Sequence, residues 1–146
     1  MKRKEFNVTI NASKEKVWNV LWKDETYRQW TAPFSEGSYA KTDWQEGSKV
    51  HFLGPNGDGM VARISERRDY EYMGIEHLGM VENGVEDTES EKVQSWKGAE
   101  ENYTLTTAND QTELMVETDI AEEYLDEFQK SWPQALQKVK ELSEKS

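Results

Sequence analysis

The chain predicts an α+β domain in which one curved antiparallel sheet holds a long closing helix. Three observations carry that reading. The last stretch, Ala121 to Leu142, spaces Tyr124, Leu125, Phe128, Trp132, Ala135, Leu136, Val139 and Leu142 three and four residues apart, which is one stripe of an amphipathic helix. Between Gly37 and Asp119 short segments instead alternate apolar and polar residues between turns, as strands covered on a single face do. A helical stretch between Ser13 and Trp30 separates the first strand from the others, giving the order strand, two helices, six strands, long helix.

The elements follow from local chemistry. Phe6, Val8 and Ile10 alternate with Asn7 and Thr9, so the first strand turns its even side inward. Ser13 or Asn11 can cap a helix that buries Val17, Trp18, Leu21 and Trp22, and Asp24 opens a second short helix to Trp30, stopped by Pro33. Strands are expected at Gly37–Asp43, Ser48–Leu53, Met60–Arg67, Asp69–Gly79, Glu101–Thr107 and Thr112–Asp119. ENGVEDTESEKVQSWK, residues 82–97, reads as a long acidic connection with a short helix capped by Thr88 and Glu91, Val93 and Trp96 sharing its face. Connections of this length often serve as lids or binding loops. The closing helix is expected to start at Asp119, with Glu122 as capping-box partner. Its stripe keeps phase through Pro133, which favours one kinked helix over a second helix begun at Ser131. Burying the stripe is worth on the order of 10 kcal/mol before ordering entropy is charged against it.

Composition narrows the function. With 146 residues the chain is expected to be one domain, residues 1–146, large enough for a real core. Its 29 acidic against 18 basic residues give a net charge of -11, a field that repels nucleic acid and anionic membranes, so neither is an expected partner. No apolar run has the length of a membrane span and no leader resembles a signal peptide; with no cysteine, the expectation is a cytoplasmic protein without disulfides, thiol catalysis or cysteine-based metal sites. Only 35% of residues are apolar, yet six are Trp, six Tyr and four Phe, enough to line a cavity as readily as to fill one.

Motifs with chemistry are few. GPNGDG, residues 54–59, lacks the lysine and following helix of a phosphate cradle and, despite Asn56 and Asp58, the first-position aspartate and closing glutamate of a calcium loop, so it reads as a hairpin turn. The two histidines, His51 and His77, have no partner at metal-ligand spacing, and no metal or cofactor is expected. His51 belongs to the wet face. Glu76 and His77 are neighbours on one strand, so one of them faces the interior; strand parity selects Met73, Ile75 and His77.

Ile10-Asn11-Ala12-Ser13 with Val17-Trp18 and Leu21, then Trp30, then Asp43-Trp44-Gln45-Glu46-Gly47-Ser48, and finally Trp132 to Leu136 resemble the START-like (SRPBCC) superfamily, whose architecture is the helix-grip fold. Within it the chain is most similar to the branch of Aha-type activators of the heat-shock-protein ATPase. ENGVEDTES at 82–90 and GAEENYTL at 98–105 also look like bacterial members of that branch. The branch often has two glycines at the strand turn where this chain has Glu46-Gly47, which bears on turn geometry alone. The resemblance selects Tyr72 and Glu76, against parity, as the inward pair. It implies a cavity between sheet and closing helix that takes a small, largely apolar molecule. The expected liners are Trp30, Phe52, Tyr72, Trp96, Tyr103, Tyr124, Phe128 and Trp132, with Glu76 or His77 as the polar contact. Two other classes stand beside this one. A chaperone-associated protein-interaction module, monomer or homodimer, would have a filled interior, and an enzyme acting on a polyketide-like or lipid substrate would need a pocket acid and base that the sequence does not display.

Overall fold

Neighbouring residues of a strand point to opposite faces, so the inward parity of each strand settles what the sheet can cover. The computed structural model describes residues 1–145. Among them eight strands form one sheet: β1 (Lys2–Ile10), β2 (Tyr39–Lys41), β3 (Lys49–Leu53), β4 (Gly59–Arg68), β5 (Tyr72–Glu82), β6 (Val85–Asp87), β7 (Glu100–Ala108) and β8 (Gln111–Ile120). The order across the sheet is β1-β8-β7-β5-β4-β3-β2, every pairing antiparallel, with β6 added along β5. The helices are α1 (Lys14–Trp22), α2 (Asp24–Trp30), α3 (Glu91–Gln94) and α4 (Leu125–Glu144). A helix-grip topology results, with α1, α2 and α4 sharing one aromatic-rich core with the inner face of the sheet.

The inner face follows from register. Phe6 pairs with Val116 and Val8 with Leu114, while Tyr103 faces Val116 from the other side of β8, so the apolar parities of β1, β7 and β8 coincide. Ser13 caps α1, its hydroxyl accepting the Lys16 amide at 3.2 Å, and Val17, Trp18, Leu21 and Trp22 are buried as their spacing predicts. The Trp30 indole donates to the Leu21 carbonyl at 3.1 Å, which ties α2 to α1 and satisfies the one polar atom of a side chain only 1% exposed. The GPNGDG stretch is a tight turn between β3 and β4, closed by the Gly54 amide on the Asp58 carbonyl at 2.9 Å. His51 lies on the outer side of β3, bonded to Glu86 at 2.7 Å.

Four expectations need correction. Residues 82–97 are not one open connection: Asn83 and Gly84, both at positive φ, turn the chain into β6, which pairs Glu82 with Val85 and Met80 with Asp87. Both central residues in the left-handed region match the tight hairpin turn that suits the twist of paired strands. The crossing is so close that a side chain at Gly79 would put its Cβ 2.1 Å from the Asp87 carbonyl oxygen, a position that excludes every residue but glycine. The short helix that follows is capped by Ser90, not Thr88, because Ser90 stands three residues before the Val93 amide it accepts at 3.4 Å. Asp119 does not cap the closing helix; it lies within β8, next to its last residue, where the Arg3 guanidinium grips both its oxygens at 2.9 and 3.1 Å, a stronger arrangement than a single amide offers. The chain enters α4 instead through a short 3-10 turn at Glu122–Tyr124. Last, the sheet is not wet throughout on its second face, since Leu53, Val61 and Val81, of the parity opposite to Val50 and Phe52, gather as a small buried cluster. Pro133 lies inside one continuous helix, on its exposed side, as the unbroken stripe requires.

Candidate functional site

Rings from three elements meet between the sheet and the first turns of α4 without closing the space between them. The hollow has a volume of about 580 Å³. α2 contributes Trp30 and Tyr27, the sheet contributes Phe52 and Tyr103, and α4 contributes Phe128 and Trp132, all on the apolar parity or stripe of their element. Tyr124 in the 3-10 turn and Trp96 just after α3 border the same hollow, which brings Lys92 and Ser95 to its edge. The rings brace one another. Trp132 lies against Phe6, with ring centres 5.9 Å apart, and edge-on to Phe34 at 4.8 Å; Tyr27 stacks on Phe52 at 6.4 Å.

His77 borders the pocket too, since β5 turns Met73, Ile75 and His77 inward. Strand parity is followed there. Glu76 points to the opposite face, where Arg63 across the strand pair donates to it at 2.7 Å, and Tyr72, of the same parity, lies under the Arg68 guanidinium. Tyr72 and Glu76 therefore do not border the pocket: one unit of register separates them from Met73 and His77, and in a strand one unit reverses the face.

The polar part of the pocket is a short chain of three groups. His77 Nε2 lies 3.0 Å from one oxygen of Glu101, and the Tyr103 hydroxyl donates to the other. Glu101 is the pocket residue that sequence reading missed, although the signal was present. It shares its parity on β7 with Tyr103 and Leu105, so a charged residue sits on the apolar face of its strand. Burial, and then the charge of Glu101, pushes the Tyr103 phenol well above its usual range, and the same two causes act on Tyr27. Both hydroxyls thus stay protonated at neutral pH. Among the described residues Nδ1 of His77 has no hydrogen-bond partner although it is buried, an arrangement that costs free energy.

Among the described residues no cluster of His, Asp and Glu is arranged to hold a metal ion, and no helix is long and apolar enough to cross a membrane. What the arrangement offers is an apolar hollow with one hydrogen-bonding end.

A sheet that grips a closing helix around such a hollow defines a helix-grip domain with an interior pocket. The chain belongs to the family of Activator of Hsp90 ATPase homolog 1-like proteins, which it matches over residues 11–144. Its fold is shared by the Aha1 dimer of Colwellia psychrerythraea at 18% identity and a TM-score of 0.71, covering 99% of this chain and 98% of that one. A Chromobacterium violaceum protein matches at 16% identity and 0.71, covering all of both chains, and CalU16 of Micromonospora echinospora at 17% and 0.69, covering 98% of this chain and 76% of its own. No curated protein matches the sequence.

Proposed function

We propose that this protein binds a small, largely apolar molecule in the pocket between the sheet and α4. The observation that carries the reading is the hollow of about 580 Å³, walled by aromatic rings and given a single polar end by Glu101, His77 and Tyr103. Volumes of roughly 300 to 1,000 Å³ with few convergent polar groups are typical of small-molecule sites. Apolar walls supply affinity and the polar end supplies orientation. An acidic chain without cysteine suits a cytoplasmic setting for this role.

Native mass spectrometry of protein purified from its own host tests the proposal. A retained mass that disappears on denaturation, and that competes with an environment-sensitive apolar dye, is the expected result; failure of any apolar probe to bind would remove it.

A second reading is a protein-interaction module acting on a chaperone, favoured by the family match and by the dimer formed by the Colwellia relative. That reading works best with a filled interior, and the open pocket weighs against it. Co-purification of a chaperone ATPase, together with indifference to apolar probes, would reverse the order of the two.

A further inference from the structure

The free hydrogen-bonding capacity inside the pocket is unequal in kind. A carboxylate only accepts, at about four lone-pair positions. The side chain of Glu101 is 20% exposed, and two of its positions are filled, by the ring N–H of His77 at 3.0 Å and by the Tyr103 hydroxyl. Those donors are thereby consumed. Of the other donors nearby, the Thr31 hydroxyl is spent on the Tyr27 carbonyl at 2.7 Å and the Trp30 indole on Leu21 at 3.1 Å, while the Trp96 and Trp132 indoles border the hollow but are not bonded to Glu101. The Tyr27 hydroxyl can donate or accept and favours neither sign. With Nε2–H of His77 given to Glu101, its buried Nδ1 is an acceptor in the neutral ring, so what the His77–Glu101–Tyr103 chain leaves unfilled is acceptor capacity, on a carboxylate.

The rim itself is mixed. Glu123 and Glu127 stand exposed at the pocket's edge on the α4 side, and Lys92 and the amino group of Met1 border it too. Asp119 also borders the space, but Arg3 already neutralises it. The sign is set at the inner end, where a guest ending in a carboxylate would meet the like charge of Glu101 with less water to screen it than at the rim.

We infer that the guest is an apolar molecule whose polar end is a hydrogen-bond donor, best a protonated amine, and that Glu101 is the group that receives it. The inference rests on the pocket being a binding site and adds the chemical class of what enters. A fatty acid is the poorest match to this geometry; an amphiphilic amine fits best, and an alcohol falls between, donating one neutral hydrogen bond where the amine donates a charge-assisted one.

Decylamine, decanol and decanoate share one chain and differ only in the end group. Titrated below their aggregation concentrations against the intrinsic fluorescence of the pocket tryptophans, they should bind in that order, with amine over acid by about tenfold or more. In Glu101→Gln the preference should collapse, the amine losing about tenfold and decanoate gaining. The wild-type ranking stands as a test even if the variant does not fold. Equal binding of all three, or tightest binding of decanoate, overturns the inference while leaving the pocket as a binding site. Binding of none overturns both.

Discussion

The two halves of α4 use one stripe for two purposes. Beyond Pro133 the stripe is core as far as Val139: Ala135, Leu136 and Val139 are 0 to 2% exposed against β1 and α1, and only the terminal Leu142 is partly buried. Before Trp132, no stripe residue is fully buried: Leu125 and Phe128 are partly buried, and Tyr124, in the turn that leads in, is 47% exposed beside the pocket. Trp132 stands at the junction, 5% exposed, bracing one half and walling the other. Identical spacing has thus produced packing in one half and a cavity wall in the other. The difference lies in what faces each half: small and branched side chains that interdigitate, or large rings whose edges meet and leave space.

The largest expected effect is in the packed half. Leu136→Ala should cost roughly 2 to 5 kcal/mol by urea unfolding, because it opens a hole where the surroundings are fixed. At the junction, Pro133→Ala restores an amide and removes a steric clash, so the unfolding free energy from a urea titration should rise by about 1 to 3 kcal/mol once the greater freedom of the unfolded chain is subtracted. Phe128→Ala should cost less than Leu136→Ala, about 1.5 kcal/mol or less, since its ring is only partly buried, yet it should weaken decylamine binding, which Leu136→Ala leaves largely intact at temperatures where it is folded. Equal stability losses at Phe128 and Leu136 would mean that both halves are core, and the contrast would fail.

The smallest effect concerns the tether just before the first half. Arg3 holds the Asp119 carboxyl below its ordinary value of 3.8, chiefly through their hydrogen bonds. A depressed pKa in the folded state stabilises fully above the unfolded value and is lost as pH falls through the folded one. With Arg3 about half exposed, solvent screens the pair, and the increment is about 1 kcal/mol at most. Unfolding followed from neutral pH down through the aspartate range should show this loss in the wild type and not in Arg3→Gln.

Much of this was legible beforehand, and the omissions have physical reasons. Patterning over whole elements located α1, α2, α4 and the long strands, because burial of a face imposes its period on every residue of the element. Of the expected liners, Trp30, Phe52, His77, Trp96, Tyr103, Tyr124, Phe128 and Trp132 do border the hollow. Tyr72 and Glu76 do not, and there parity on β5 was the better guide than resemblance, since a strand's register is a local property that relatives at low identity need not share. β6 was overlooked although Asn83-Gly84 is a strong hairpin signal. Its strand has no buried residue to announce it, Val85, Glu86 and Asp87 all being exposed. Glu101 was overlooked for the opposite reason: a charge in a strand reads as solvent-facing until its partners, distant in sequence at His77 or hidden by the same parity at Tyr103, are placed beside it.

The pairing of β1 with β8 sets Lys2 opposite Ile120 and Ile10 opposite Thr112, so β1 finds its mate in a strand remote in sequence. On a ribosome, β1 must therefore wait, unpaired, until β8 has emerged. Contacts between such remote positions slow folding, because the intervening loop must be closed before they are rewarded. During that interval the charged run Lys2-Arg3-Lys4-Glu5 keeps the waiting edge soluble and discourages it from pairing with another nascent chain.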